Sequence, residues 1–184
     1  CCHKTFLNFK IIVNSVSNDP IKIDPYERTW GRWMDDQAIE TVVAVNIQKA
    51  DSGYEDSRVE VICFNGTLLL IGQVSTLALK SLAAEEAKKI HQVKKVYNEL
   101  VVGAPSTLFE QSKDALLTLK IKTEFIASDD IVADRIKVNS DNGIIYLMGI
   151  VTSEEAQAAV DIVRDTQGVR KVVKVFEYIP LDAL

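Results

Sequence analysis

Residues 65–75 read NGTLLLIGQVS, and residues 142–152 read NGIIYLMGIVT. The two stretches coincide when the chain is laid over itself with a shift of 77 residues. The same shift places Arg58–Val61 on Arg135–Val138, so the match continues into the segments that precede them. A repeat of this kind indicates that the chain contains two copies of one small module of about 70 residues.

The first copy begins with a helical pattern. Ile39, Val43 and Ile47 recur at helical spacing after Asp35 or Asp36, either of which is a suitable N-cap. Next, an Asn-Gly dipeptide between two alternating segments is typical of a type I′ hairpin. The elements predicted after the hairpin are a helix that begins at Thr76 and a strand over residues 93–102.

The second copy repeats the same order of elements. The prediction is a helix over 109–126, strands over 136–139 and 144–151, a helix over 153–165 and a strand over 169–178. We therefore expect an α+β fold of two tandem modules of α-β-β-α-β order, each a three-stranded mixed sheet with two helices on one face. The predicted boundaries are a tether over residues 1–35 and modules over 36–103 and 106–180.

Composition limits the possible functions. At 47% hydrophobic and 26% charged residues, 184 residues can fill two modest cores. The formal net charge of −5 argues against nucleic-acid binding, which requires a basic surface. No apolar run approaches the roughly 20 residues that span a bilayer.

Residue types that carry catalysis or bind metal are not grouped in the sequence. His3 and His91 lie far apart, and neither pairs with a cysteine at metal-ligand spacing. Ser153 has no histidine base nearby in its own module. We therefore expect no enzyme activity, no metal, no cofactor and no small-molecule substrate.

The cysteine at position 1 suggests covalent lipidation. Bacterial lipoproteins are cleaved so that the lipid-bearing cysteine becomes the first residue, and Cys1 would be that residue here. A sequence boundary that falls at this cysteine by chance is the alternative.

The first helices of the two modules differ on their outward sides. When their core positions are aligned, only the second helix carries large apolar side chains away from the core. These side chains are Phe109, Leu116, Leu119 and Ile126. Ala38, Thr41 and Gln48 are expected at equivalent positions of the first helix. An exposed apolar stripe usually marks a partner or a membrane.

Three lysines flank this stripe, namely Lys113, Lys120 and Lys122. Their stems could lie along lipid while their ammonium groups meet phosphate. Nearby carboxylates cancel their formal charge, so the expected electrostatic gain is small. The alternative is that the stripe packs against the first module or the tether.

The repeat resembles a known domain. Asn65-Gly66 followed by Leu68 to Gly72, and later by Val93-x-x-Val96-x-Asn98, is similar to the BON domain, a bacterial envelope module of α-β-β-α-β order. The second copy fits the pattern closely, although Lys174 replaces the expected asparagine. Arg28-Thr29-x-Gly31 resembles the dual-BON outer-membrane lipoproteins in particular. Residues 1–23 depart from that family.

The resemblance implies a role in outer-membrane integrity, without catalysis or a cofactor. It implies that the second BON domain binds anionic phospholipid through its first helix, in a periplasmic protein anchored to the outer membrane. The alternative is a structural subunit of a larger envelope assembly such as a secretion system. Trp30 and Trp33 are expected either to pack on the first module or to anchor such an envelope protein.

Overall fold

The computed structural model describes residues 30–179. The expectations for Cys1, His3 and most of the tether therefore lie outside the described residues. The first module comprises α1 (Trp30–Ala50), a 3-10 turn (Ser52–Tyr54), β1 (Arg58–Phe64), β2 (Thr67–Val74), α2 (Leu77–Lys88), β3 (Lys95–Asn98) and β4 (Val101–Val102). The second comprises α3 (Leu108–Ala127), a 3-10 turn (Ala133–Arg135), β5 (Ile136–Asp141), β6 (Ile144–Val151), α4 (Ser153–Asp165) and β7 (Lys171–Tyr178).

Both modules have the predicted α-β-β-α-β order and a mixed sheet. In each, an antiparallel hairpin is joined by a parallel strand that pairs with the second strand of the hairpin. The predicted fold class is therefore confirmed. The third strand of the first sheet differs from the prediction because it is divided into β3 and β4, both of which pair with β2.

The division of this strand follows from the residue at one register position. Asn98 lies opposite Leu70, and Lys174 lies opposite the equivalent Leu147. The Asn98 side chain donates to the Lys80 carbonyl at 2.7 Å and accepts from the Leu100 amide at 3.3 Å. These bonds hold the backbone in a local turn, whereas Lys174 lies within an unbroken β7.

The hairpin turns have the conformation that the Asn-Gly dipeptides predict. Asn65 and Gly66 have φ values of 52° and 77°, and Asn142 and Gly143 have φ values of 49° and 73°. Positive φ at both central residues defines the type I′ turn, whose twist matches that of the flanking strands. The Asn-Gly sequence therefore favours the observed conformation of both turns.

A buried aspartate ties each turn to the first helix of its module. Asp36 accepts bonds from the Asn65 and Gly66 amides at 2.9 and 3.1 Å. Asp114 accepts the equivalent bonds from Asn142 and Gly143 at 2.7 and 2.8 Å.

The role expected for Asp35 or Asp36 as an N-cap is therefore wrong. The helix begins at Trp30, and Asp36 lies within it with 2% of its surface exposed. A buried carboxylate is tolerated there because it accepts hydrogen bonds from backbone amides. Asp36 caps the hairpin of its module instead of its own helix.

Each module has its own apolar core between its helices and one face of its sheet. Ile39, Val43 and Ile47, which recur at helical spacing, are buried in the first core together with Leu70. Ile121, Phe125 and Leu147 are buried in the second core. Leu117 is half-buried and packs on the edge of the second core.

A third apolar cluster joins the two modules. It contains side chains from the opposite face of each sheet, namely Ile62, Phe64, Leu69, Ile71, Tyr146, Met148 and Val175. The sheets therefore pack face to face, and the molecule has the layer order helix, sheet, sheet, helix. We call this contact the seam.

Polar contacts surround the seam. Asp141 accepts bonds from Arg58 at 2.6 Å and from Gln73 at 2.8 Å. On another side, Lys137 of the second module donates to Glu40 of the first at 2.6 Å. Because Asp141 is buried, these partners satisfy a carboxylate that would otherwise be costly to bury. The contacts also hold the two stacked sheets in one position relative to each other.

Gly72 in β2 and Gly149 in β6 occupy equivalent positions, and each allows the neighbouring strand of its hairpin to approach closely. A Cβ atom on Gly72 would lie 2.1 Å from the Arg58 carbonyl oxygen, and one on Gly149 would lie 2.4 Å from the Arg135 carbonyl oxygen. Any side chain at either position would push the edge strand away.

Replacing either capping aspartate should destabilise the protein. Asp36→Asn and Asp114→Asn each place an amide NH₂ group against backbone donors, so we expect a loss of about 1–3 kcal/mol in the free energy of unfolding. Urea denaturation measures this loss. Asp161→Asn, on the exposed side of α4, is the control and should change stability by no more than about 0.5 kcal/mol. Equal effects for all three variants would contradict the role of the aspartates.

Candidate functional site

The start of α3 is held firmly on the body of the protein. Thr107 caps the helix and forms a capping box with Glu110. Hydrogen bonds from the backbone amide and hydroxyl of Thr107 lower the pKa of the Glu110 carboxyl. The Ser106 amide also donates to Gln73 of the first module at 3.0 Å, so α3 begins at a fixed place beside the seam.

The outward side of α3 carries the predicted apolar stripe. Phe109, Leu116, Leu119 and Ile126 are 68%, 67%, 62% and 76% exposed, respectively. At 100° per residue these side chains fall within an arc of about 100° on the helix surface. We call these four side chains the α3 stripe. They do not pack against the first module.

The lysines predicted to flank the α3 stripe lie on its two margins. The Lys113 ammonium lies 4.3 Å from the centre of the Phe109 ring, a cation–π contact. Lys120 lies 4.0 Å from Glu124, and Lys122 is exposed on the other margin. Lys113 and Lys120 thus stand on the same side of the stripe.

A groove of about 570 Å³ borders this margin. Its walls include Lys113, Leu116, Lys120 and Arg170, with the 142–143 turn at one end. Arg170 donates to the Asn142 carbonyl at 3.3 Å. It brings a third cation next to the α3 stripe from a distant part of the chain.

Sequence reasoning missed Arg170, although the repeat contained a signal for it. Arg170 and Lys94 occupy the same place in the two modules, directly before the third strand. Their backbone amides each donate at 2.8 Å to the glycine carbonyl of the hairpin turn. A basic residue therefore stands beside the turn in both modules.

Trp30 and Trp33 lie in the first two turns of α1, with ring centres 4.9 Å apart in a stacked arrangement. Trp30 is 75% exposed and Trp33 is 37% exposed. The expectation that these rings pack on the first module is wrong for Trp30. Their role as partner anchors stays a prediction.

The outward side of α1 is more apolar than the alignment of the helices predicted. Val42 and Val45 are 46% and 44% exposed, and Met34 and Ala38 are exposed on the same side. The two helices therefore differ in which apolar side chains they present. Small side chains predominate on α1, and large ones predominate on α3.

Over residues 30–179, no group of histidine, cysteine and acidic side chains could hold a metal ion. Within the same range, no helix has the length and hydropathy of a membrane span. Burial raises the pKa of Cys63 to about 12, so its thiol stays protonated at neutral pH.

Comparison with known proteins identifies the family. The model of the BON domain matches residues 35–104 and 113–180, which are the two modules. The chain belongs to the BON-domain family. Outer membrane lipoprotein DolP of Haemophilus influenzae is 38% identical over 86% of this chain and 81% of its own length. The 21 kDa hemolysin of Actinobacillus pleuropneumoniae is 34% identical over 85% of this chain and 80% of its own length.

Among solved structures, the BON modules resemble the C-terminal domain of CdsD, a structural protein of the type III secretion system of Chlamydia trachomatis. The TM-score is 0.33 at 15% identity, and the match covers 76% of this chain and 96% of that domain. Similarity at this level carries no argument about function.

Proposed function

We propose that this BON protein is a non-enzymatic lipoprotein of the periplasm, anchored to the outer membrane. In this proposal it binds anionic phospholipid through α3 of the second BON domain and supports the integrity of the envelope. The α3 stripe is the observation that carries the proposal. The name of the Haemophilus relative supports the membrane and the lipid anchor.

The α3 stripe has the dimensions of a membrane-surface contact. A helix of 20 residues is about 30 Å long, and the stripe runs along most of it. Such a helix can lie in the plane of the interface with its apolar side among the upper acyl chains. Burial of one large aliphatic side chain is worth roughly 1.5–3 kcal/mol. Four such side chains supply enough free energy for reversible binding.

Cations beside the stripe favour anionic headgroups over neutral ones. Lys113, Lys120 and Arg170 border the same groove beside the α3 stripe. The carboxylate of Glu110 is bonded to Thr107, and that of Asp114 is bonded to the hairpin turn. Both acidic residues line the same groove, so its lining carries three cations against two carboxylates that are already engaged in hydrogen bonds.

The second candidate function is a structural subunit of a larger envelope assembly, such as a secretion system. The exposed pair of Trp30 and Trp33 favours it, because aromatic side chains often anchor protein contacts. Membrane binding is favoured as the main function because the α3 stripe contains more large apolar side chains and lies beside three cations.

Substitutions in the α3 stripe test the proposed function. Leu116→Glu and Ile126→Glu should each weaken binding to vesicles of phosphatidylglycerol and phosphatidylcholine by about tenfold or more, since each removes one apolar anchor. The melting temperature should change by only a few degrees because both side chains are exposed. Vesicle co-sedimentation and thermal melting are measured on the same samples.

The first helix provides matched controls. Thr41 and Gln48 occupy the positions of Leu119 and Ile126 on α1, so Thr41→Glu and Gln48→Glu should leave vesicle binding unchanged. Equal loss of binding in the α1 and α3 variants would sink the proposal. Unfolding of the Leu116→Glu variant would show that the stripe packs inside the protein.

The proposed anchor predicts a mass increase at Cys1. Protein isolated from its native membrane should carry a diacylglyceryl group there, and intact-mass spectrometry detects it. Cys1→Ser should release the protein from the membrane fraction without changing the melting temperature. An unmodified Cys1 in the native protein would refute the anchor.

A further inference from the structure

The charges beside the α3 stripe nearly balance each other. The groove of about 570 Å³ along its margin is lined by three cations, Lys113, Lys120 and Arg170, and by the carboxylates of Glu110 and Asp114. In a chain with a formal net charge of −5, this small local excess gives little long-range attraction to an anionic surface. A preference for anionic lipid therefore requires a direct contact between one of these cations and the headgroup.

The three cations differ in what they already contact. The Lys113 ammonium lies 4.3 Å from the centre of the Phe109 ring, and Lys120 lies 4.0 Å from Glu124. The exposed Arg170 guanidinium donates to the neutral carbonyl of Asn142 and forms no other hydrogen bond or ion pair within residues 30–179. Since a guanidinium has five N–H donors, Arg170 keeps its charge and several donors for a ligand.

The hairpin turn of the second module holds Arg170 in place. The Arg170 amide donates to the Gly143 carbonyl at 2.8 Å. A Cβ atom on Gly143 would lie 2.9 Å from Cδ and 3.1 Å from Cγ of Arg170, so the stem of the arginine lies directly against this glycine. The turn is itself bonded to Asp114 of α3. Arg170 is thus positioned relative to α3 before any ligand binds, which lowers the entropy cost of binding.

The groove lies on one margin of the α3 stripe. At 100° per residue, Lys120 and Lys113 lie about 20° and 40° beyond Phe109, on the side of α3 that borders the groove. If the middle of the stripe faces the acyl chains, as proposed above, this margin lies about 70–90° away around the helix. Lipid headgroups surround a helix at this level when it lies in the plane of the interface.

The chemistry of the three cations favours a headgroup without a positive charge of its own. A guanidinium is a planar fork that binds two phosphate oxygens at once. The phosphate of phosphatidylcholine is followed by a trimethylammonium group, which Lys113 and Lys120 would repel. Phosphatidylglycerol has a phosphate and no cation. Its headgroup therefore suits the groove better.

We propose that Arg170 binds the phosphate of an anionic phospholipid headgroup in this groove and thereby determines the headgroup preference of the protein. The inference rests on the proposed function, which assigns the membrane contact to α3. It adds a residue that lies outside α3, directly before β7. The α3 stripe then supplies most of the affinity for the membrane, and Arg170 supplies the selectivity.

Binding of the full chain to two kinds of vesicle tests the proposal. One kind is pure phosphatidylcholine, and the other is an equimolar mixture of phosphatidylglycerol and phosphatidylcholine. By co-sedimentation, the wild type should bind the mixed vesicles at least tenfold more tightly. Arg170→Gln, which keeps the carbon atoms that pack on Gly143, should reduce this ratio to less than threefold. Its affinity for pure phosphatidylcholine should change by less than twofold.

The first module provides the matched control. Lys94 occupies the place of Arg170 beside the other turn, so Lys94→Gln makes the same change in net charge and should keep the tenfold ratio. Equal loss of the ratio in both variants, or a wild-type ratio in Arg170→Gln, would overturn this inference and leave membrane binding by α3 intact. A wild type that binds neither vesicle would instead refute the proposed function, and this inference with it.

Nuclear magnetic resonance tests the contact itself. The Nε–H signal of Arg170, assigned by its absence in Arg170→Gln, should shift when short-chain phosphatidylglycerol is added. Short-chain phosphatidylcholine and inorganic phosphate at the same concentration should leave it in place. A signal that phosphatidylglycerol does not move would overturn the proposal. An equal shift with inorganic phosphate would also overturn it, because the groove would then be a site for free phosphate.

Discussion

Face-to-face packing of the two sheets is the contact on which the rest of this structure depends. A three-stranded sheet with two helices on one face leaves its other face uncovered. Here each sheet covers the other through an apolar cluster that includes Leu69, Ile71, Tyr146 and Met148. The buried Asp141, bonded to Arg58 and Gln73, sets the register at the margin of this cluster. Because the module is duplicated, the exposed sheet face of each copy is buried against the sheet of the other copy.

The seam also determines which surfaces of the two modules remain exposed. Each sheet has one face against its own helices and the other in the seam, so the outward sides of α1 and α3 form the outer layers of the molecule. Exposed apolar side chains also occur on strands, namely Val101, Val102 and Tyr178. Because the helix layers lie on opposite sides, the Leu116 side of α3 and the Val42 side of α1 face in different directions. The α3 stripe, which we propose contacts the membrane, therefore lies on the opposite side of the molecule from α1.

Much of the fold was predictable because it depends on local signals that the chain contains twice. Asn65-Gly66 and Asn142-Gly143 specify their turns by conformation alone. The roles of Asp36, Asp141 and Arg170 were missed, because each depends on a partner that lies far away in the sequence. The division of β3 from β4 was missed because it depends on side-chain bonds of one asparagine. For α3, helical spacing sufficed to place the stripe on the outward side, but the exposure of Val42 on α1 required the packed structure.

Native-state hydrogen exchange on an Ile71→Ala variant tests most directly that the two BON domains form one body. Ile71 belongs to the first sheet and is fully buried in the seam. Its truncation should cost about 2–4 kcal/mol, and the slowest amides of β1–β2 and β5–β6 should lose the same free energy of opening. Loss of protection in the first module alone, with β5 and β6 unchanged, would contradict a single body and with it the opposed orientation of α1 and α3.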